Sequence, residues 1–407
     1  MDKRKLSRRR FMIVAPVWVG ISLGVGRDSV WGQQAKQWRA VIMGHTGRGN
    51  FGHRLDVLFR DREEIGVAGV YDGDKAGLEK AMEKSGAETG YDDYEAMLKA
   101  EKPDLAVVAP RHVDQHHAMG MAALRAGAHV YMEKPFTESL GEADELLAEA
   151  ERQGLRIAVA HQMRAAPGIL LLKQAVEQEN LIGELLEVRL FGKQDERAGG
   201  EDMMVLGTHL FDLSRFFAGD PEWCTARVLN EGGEDITKAD ARSGKNDVLG
   251  PVAGREIEAQ FAFPNGVNGR FVSRRRHRNW PGSWGMMLVG TKGAVFVRAG
   301  HPARIYVLEG REGRPQDEPM WEGTWKRWAK DPAMEEEKKI LENAARMDIA
   351  NERVVDDWLA AIVEEREPMC SGRDAMLALE MIHAVYAAAL RGERVTFPLE
   401  ERGHPLE

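Results

Sequence analysis

Three small groups of residues in this chain have the types and spacing that chemistry needs. The first is Glu133-Lys134-Pro135 in HVYMEKPFTE (129–138), where a lysine leaves an apolar strand end directly ahead of a proline. An ammonium held there can stabilise negative charge on a reacting oxygen. The second is His209 and Asp212 in MMVLGTHLFDLS. Three apart on an expected helix, they share a face, and a carboxylate beside an imidazole is an acid–base arrangement. Spacing alone equally suits a helix-end histidine satisfied by its neighbour. The third is the glycine run GHTGRGNFGH (44–53). Gly47-x-Gly49-x-x-Gly52 has dinucleotide spacing, and Gly44-x-x-Gly47-x-Gly49 is a second register. Glycines at a strand-to-helix turn let main-chain N–H groups approach a pyrophosphate.

These groups need a frame to bring them together, and the N-terminal half offers one. Strands are expected at Arg39–Met43, Val67–Tyr71, Leu105–Ala109, Val130–Met132 and Arg156–Ala160. Helical stripes lie between them, including Tyr94–Ala100, His117–Ala126 and a stripe from Leu140 to Ala150 behind the capping pair Ser139/Glu142. An amphipathic segment with Leu55, Val57, Leu58 and Phe59 follows the glycines. Alternating strands and helices demand parallel pairing with right-handed crossovers, and ligands then bind at the carboxyl ends of the strands. Lys134 is at such an end. So is Asp72, twenty residues after Gly52 in YDGD, where a ribose-binding carboxylate belongs. A carboxylate suits a free 2′-hydroxyl and repels a 2′-phosphate, so NAD is favoured over NADP, with Arg48 as the opposing charge.

Length and charge narrow the class. With 407 residues, about two domains are expected. Residues 1–33 read as a leader: Ser7-Arg8-Arg9-Arg10-Phe11 precedes an apolar run to Val25 that is too short to span a bilayer. It resembles a twin-arginine export signal, which places the mature chain in the periplasm with no stable membrane insertion after cleavage. Loss of residues 1–32 takes the net charge from −9 to −14, which argues against nucleic acid and anionic membranes as partners. Cys224 and Cys370 are too few for a disulfide scaffold. His112, His116 and His117 lack the spacing of a zinc site, so no metal is expected.

GHTGRGNFG, YDGD, APRHVDQHH and above all AGAHVYMEKP resemble the Gfo/Idh/MocA family, over essentially the whole mature chain. The resemblance implies a Rossmann domain (37–160) followed by a C-terminal α+β domain (161–407) on an open, mainly antiparallel sheet. It further implies a bound nicotinamide cofactor and oxidation of a sugar-like polyol. On this resemblance Pro110, His116 and Glu133 join the glycines, Arg48, Asp72 and Lys134 around the cofactor, and Arg164 lies near nicotinamide or substrate. Lys134 would bond the reacting oxygen with Glu133 neutralising or orienting it, and His209, steadied by Asp212, would take the hydroxyl proton. The family frequently carries an acid two residues before the glycine of its Gly-x-His motif; here that residue is Val205.

The second half reads as α+β. Hairpins are expected at Pro264-Asn265-Gly266 and Thr291-Lys292-Gly293, and the C-terminal helices look purely structural. SRRRHRNW (273–280) alternates, so Arg274 and Arg276 either line the substrate side or sit on a solvated or interface strand. Trp321, Trp325 and Trp328 share a face if helical, which favours packing over sugar stacking. The leading expectation is therefore an NAD-dependent sugar or polyol oxidoreductase, assembled as a dimer or tetramer. The alternatives are an NAD-assisted, redox-neutral hydrolase or lyase, and a dinucleotide-containing sugar sensor without catalysis.

Overall fold

The computed structural model describes residues 37–244, 248–275, 284–300, 302–308, 325–332 and 349–407. The expected leader, Arg276 and Trp321 lie outside them. The N-terminal half runs β1 (Trp38–Gly44), β2 (Ile65–Asp72), α1 (Lys75–Ser85), β3 (Thr89–Tyr91), α2 (Tyr94–Glu101), β4 (Leu105–Val108), α3 (His116–Arg125), β5 (His129–Met132), α4 (Leu140–Gln153) and β6 (Ile157–Val159). All six strands are parallel, in the order β3-β2-β1-β4-β5-β6. The central strands are buried on both faces, which is why runs such as LAVVAP (105–110) replace alternation there. Helices start where polar caps allow: the Ser139 hydroxyl accepts from Glu142 N–H, while the Glu142 carboxylate accepts from Ser139 N–H. The strand order reverses between β1 and β4, which makes the crevice beyond their ends the place for a ligand.

One expected element is not an α-helix. After the glycine turn the chain makes only a 3₁₀ turn at Leu55–Val57, with Asn50 and Arg54 in the left-handed region. Three glycines and two left-handed residues within eight positions cost too much helix propensity for a full helix to propagate. Leu55 and Phe59 are nevertheless buried, and the sheet face left open beside them is covered from far along the chain. α8 (Ile349–Val363) places Val354, Val355, Trp358 and Leu359 in one apolar cluster with Ile42, Leu55, Phe59 and Tyr131. Burying side chains of this kind stabilises by roughly 1.5–3 kcal/mol each. A helix that reads as purely structural in sequence thus completes the first domain.

The second sheet is built from β7 (Leu185–Phe191), β8 (Trp223–Leu229), β9 (Glu256–Ala262), β10 (Asn268–Arg274), β11 (Gly285–Gly290), β12 (Ala294–Arg298), β13 (Arg304–Leu308), β14 (Trp325–Arg327) and β15 (Val395–Thr396). Their order is β14-β13-β12-β11-β7-β10-β9-β8-β15, with only β10 and β7 parallel among the described residues. Both expected hairpins are present; Asn265 and Gly266 take positive φ in the first. One face of the sheet packs on α5 (Pro167–Glu177), α7 (Thr208–Ala218) and α9 (Gly372–Arg391), which is buried along most of its length. The short α6 (Gly200–Asp202) and a π-helical turn, Met203–Gly207, lead into α7. Trp325 lies on β14 beside Phe296, and Trp328 is buried just after it. The helical reading of these tryptophans is therefore corrected: pairing with β13 overrides a helical spacing. Cys224 and Cys370 are both buried free thiols.

Candidate active site

The glycine turn is bonded to the β4 loop across the switch point. Arg111 N–H donates to Gly49 O (3.1 Å), the Arg48 guanidinium pairs with Asp114, and Gln115 binds both His45 Nδ1 and Arg48 O. Gly47, Gly49 and Gly52 have φ of 78°, 86° and 53°. A Cβ on Gly49 would stand 2.7 Å from the Arg111 and His112 nitrogens, and one on Gly52 would stand 2.8 Å from Ala109 O. Gly47 faces open space. Only glycine permits this backbone, and a main chain so bare is what close approach of a pyrophosphate requires. Gly44 serves differently: the Phe51 ring packs where its Cβ would be.

Asp72 is fully buried at the end of β2. It accepts from Thr46 N–H (2.8 Å), Thr46 Oγ1 (2.6 Å) and Asp74 N–H (2.9 Å). Three of its four acceptor positions are used within the turn. The residue thus shapes the turn as well as offering the carboxylate. These features fit a dinucleotide held by Gly47, Gly49, Gly52 and Asp72.

Glu133 and Lys134 leave β5 in divergent directions. The Glu133 carboxylate binds His53 of the glycine segment (Oε1···Nδ1 2.6 Å) and packs behind Gly52. Burial works to raise its pKa, but His53, and with it Lys134 and His116, hold it below the usual carboxylate range. Its second oxygen is buried without a hydrogen-bond partner among the described residues. Of the two roles expected of Glu133, neutralising Lys134 fits and orienting it does not: its hydrogen bond goes to the glycine turn, and it acts on Lys134 through charge. Lys134, itself buried, donates from Nζ to Val205 O (3.1 Å). Val205, the position where the family resemblance leads one to expect an acid, instead supplies a main-chain carbonyl, presented by the π-helical turn just before His209. The Lys134–Pro135 bond is cis.

His116 is fully buried, and its ring nitrogens lie 2.8 Å from Pro135 O and 2.7 Å from Pro110 O. It staples the β4 loop to the segment carrying Lys134, so its role, with that of Pro110, is to fix both sides of the crevice from behind.

Arg164 is also corrected. Its guanidinium hydrogen-bonds Asp212 Oδ2, Oδ1 and O and Met369 O, and it also forms an ion pair with Asp374. It ties α7 to α9, and these bonds, rather than one to nicotinamide, are what the structure shows for it. Asp212 in turn is committed to Arg164, at 3.0 and 2.5 Å, and the imidazole it faces is His161, at 3.7 Å. His161 lies at the end of β6, bonds Thr208 Oγ1 (3.0 Å), and stands edge-on to His209 with centroids 5.5 Å apart. Burial lowers the His161 pKa, with Asp212 opposing. Asp212 therefore acts on His161 and Arg164, and His161 is the ring beside His209. The strand-end rule that singled out Lys134 applies equally to His161.

Arg274 is excluded from the substrate side by the pleat. Phe271 and Ser273 are buried toward α7, whereas Arg270 and Arg274 show on the opposite face, where both pair with Glu258. Other participants had no local signal. Asn351 of α8 donates to His53 O (3.1 Å) and pins the glycine segment from nearly 300 residues away.

Comparison with known proteins agrees with this fold. A profile described as the oxidoreductase family with an NAD-binding Rossmann fold, Gfo/Idh/MocA, matches residues 39–161, and its C-terminal alpha/beta counterpart matches 189–397. A D-apiose dehydrogenase from Paraburkholderia graminis is 25% identical over 368 residues, spanning 86% of this chain and 88% of that one. A levoglucosan dehydrogenase from Pseudarthrobacter phenanthrenivorans is 25% identical over 53% of this chain and 60% of its own. Among solved structures, a levoglucosan dehydrogenase complexed with NADH and levoglucosan superposes with a TM-score of 0.68 at 18% identity, covering 89% of this chain and all of that one. An oxidoreductase from Agrobacterium radiobacter, in complex with NAD⁺, L-tartaric acid and magnesium, gives 0.67 at 20% identity, covering 89% and 98%.

Proposed function

The chain belongs to the Gfo/Idh/MocA family of NAD-binding oxidoreductases, and from that premise we propose that it oxidises a secondary alcohol of a sugar or sugar-like polyol. The single observation that carries the reading is the convergence of Lys134 on the turn that launches His209: Nζ bonds Val205 O, four residues before the imidazole. An ammonium and an imidazole are thereby brought to one end of α7, beyond the carboxyl ends of the Rossmann strands. The sugar class is supported by the apiose and levoglucosan dehydrogenases above.

NAD, when bound, supplies the hydride acceptor. Gly47, Gly49, Gly52 and Asp72 hold it, with His116 and Asn351 keeping the surrounding loops in place. His209 takes the hydroxyl proton on its ring as the carbinol carbon is oxidised. Lys134 Nζ donates to the same oxygen, and its charge stabilises the alkoxide character that develops there. The test is to denature the purified protein, identify the released nucleotide by mass spectrometry, and screen aldoses, anhydrosugars and inositols for reduction of protein-bound NAD. Released NADP, or no reduction by any polyol, would overturn the reading.

The Arg8-Arg9 leader supports a second part of the proposal, that the protein works outside the cytoplasm after export in folded form. Changing Arg8 and Arg9 to Lys is expected to retain the precursor in the cytoplasm. Unchanged periplasmic fractionation would defeat the export reading.

A further inference from the structure

β11 is entered from Trp284, and the pleat decides where that indole lies. Met286 and Leu288 are fully buried toward the helices, while Met287 shows on the opposite face. Trp284, two residues before Met286, belongs to the inner row. Its carbonyl accepts from Ala299 N–H at 2.9 Å, so the strand pairing still holds at this residue. The inner face is the one that carries α7. The Trp284 ring stands 6.5 Å from that of His209, with the planes at 62°. His209 thus has His161 and Trp284 as ring neighbours.

The indole itself is unusual. Trp284 is partly exposed, yet its Nε1 is buried and has no hydrogen-bond partner among the described residues. An indole nitrogen only donates. Buried donors are almost always paired, and one left without an acceptor costs about 1–3 kcal/mol. A ligand oxygen beside His209 would remove that penalty. The partly exposed ring also offers a flat apolar surface of the kind that packs against the C–H face of a sugar ring.

We propose that Trp284 is a specificity-determining residue of the substrate site, its indole N–H donating to a hydroxyl or ring oxygen adjacent to the alcohol that faces His209. The substrate class, a polyhydroxylated ring, rests on the function proposed above. A substrate lacking that oxygen leaves the N–H buried and unpaired, which is how a hydrogen-bonding site rejects close analogues.

The test uses the full chain with its nucleotide, the variant Trp284→Phe, and D-glucose, D-xylose, myo-inositol and levoglucosan as probes. The variant keeps an aromatic ring and loses the donor. It is expected to retain bound NAD, to raise KM for the oxidised sugar about tenfold, the effect of one hydrogen bond, and to leave kcat within about threefold. A binding readout independent of turnover comes from wild-type protein carrying ¹⁵N-indole tryptophan. The Trp284 signal, identified by its loss in the variant, is expected to move when the sugar is added. If a sugar is oxidised but KM is unchanged and the indole signal stays still, the role of Trp284 is overturned while the oxidoreductase reading stands. If no sugar is oxidised yet one of them moves the signal, the indole site stands and the reaction is wrong. If neither happens, both are overturned.

Discussion

In the proposed reaction Lys134 and His209 divide one task between them. The histidine is an acceptor for a proton and the lysine a fixed charge for the oxygen left behind. On the same proposal neither holds the dinucleotide, whose pyrophosphate and ribose would rest on the turn shaped by Gly47, Gly49, Gly52 and Asp72. Lys134→Ala is therefore expected to purify with NAD bound, and single-turnover reduction of that NAD by an accepted polyol should slow by ~10²-fold or more. His209→Ala should slow the same step by ~10²- to 10⁴-fold. Wild-type rates in both variants, with nucleotide in place, would remove the catalytic assignment. Loss of nucleotide in both would make these residues part of the cofactor site or the fold instead. Glu133 is expected to behave differently from its neighbour, because its carboxylate supports His53 and the glycine turn.

At the scale of elements, the glycine turn is the most constrained piece of backbone around the crevice. It has no α-helix behind it to fix its shape. It is held by Gln115 and Asp114 on one side, Glu133 beneath, and Asn351 from α8. Gly49 carries the tightest demand, with a φ of 86° and main-chain nitrogens 2.7 Å from where a Cβ would sit. Gly49→Ala is expected to displace the β4 loop, empty the protein of NAD, and lower stability by roughly 1–3 kcal/mol through the unfavourable backbone conformation. Nucleotide content and thermal unfolding of the purified variant measure both effects. Full nucleotide occupancy at wild-type stability would show that the turn is not held by this contact.

At the scale of the whole molecule, the segment after Lys134 packs against the C-terminal tail, and Glu138 registers it. Burial, followed by the carboxylates of Glu142, Asp114 and Glu407, pushes half-buried Glu138 up to about 7. Its folded pKa lies above the unfolded 4.5, so between these values the folded state binds more protons. The contribution of this group to stability therefore grows as pH falls from above 7 and is complete below about 4.5. At pH 8 the ionised side chain is a liability. Glu138→Gln is expected to be more stable than wild type at pH 8 by ~1 kcal/mol after allowance for solvent screening, about 1–3 °C in Tm. The difference should vanish near pH 4.5. Equal Tm values at both pH values would show that the carboxylate is not strained by its neighbours.

Much of this architecture was legible in the residues themselves. Buried parallel strands write themselves as Val/Ala/Ile runs, capping pairs such as Ser139/Glu142 announce a helix start, and a lysine or an aspartate at a strand's end announces the crevice, because each of these signals is local. The helix expected after Gly52 was not formed, since local propensity there is too poor and the sheet face finds α8 instead. Arg164 and Asp212 carried the right residue types, but which partner each meets depends on how α7 and α9 are packed. Glu133 and Lys134 are adjacent in sequence and point to different sites, a separation that no spacing rule contains. Arg274 and Trp284 differ by which pleat they occupy, and the pleat is set only when the strands pair. Apart from the segment after Gly52 and the strand that carries Trp325, the sequence by itself determined which elements form and what chemistry their ends can carry. Tertiary structure alone decided which side chains meet, because long-range packing, such as Asn351 against the glycine segment, joins residues whose separation along the chain leaves no periodicity to read.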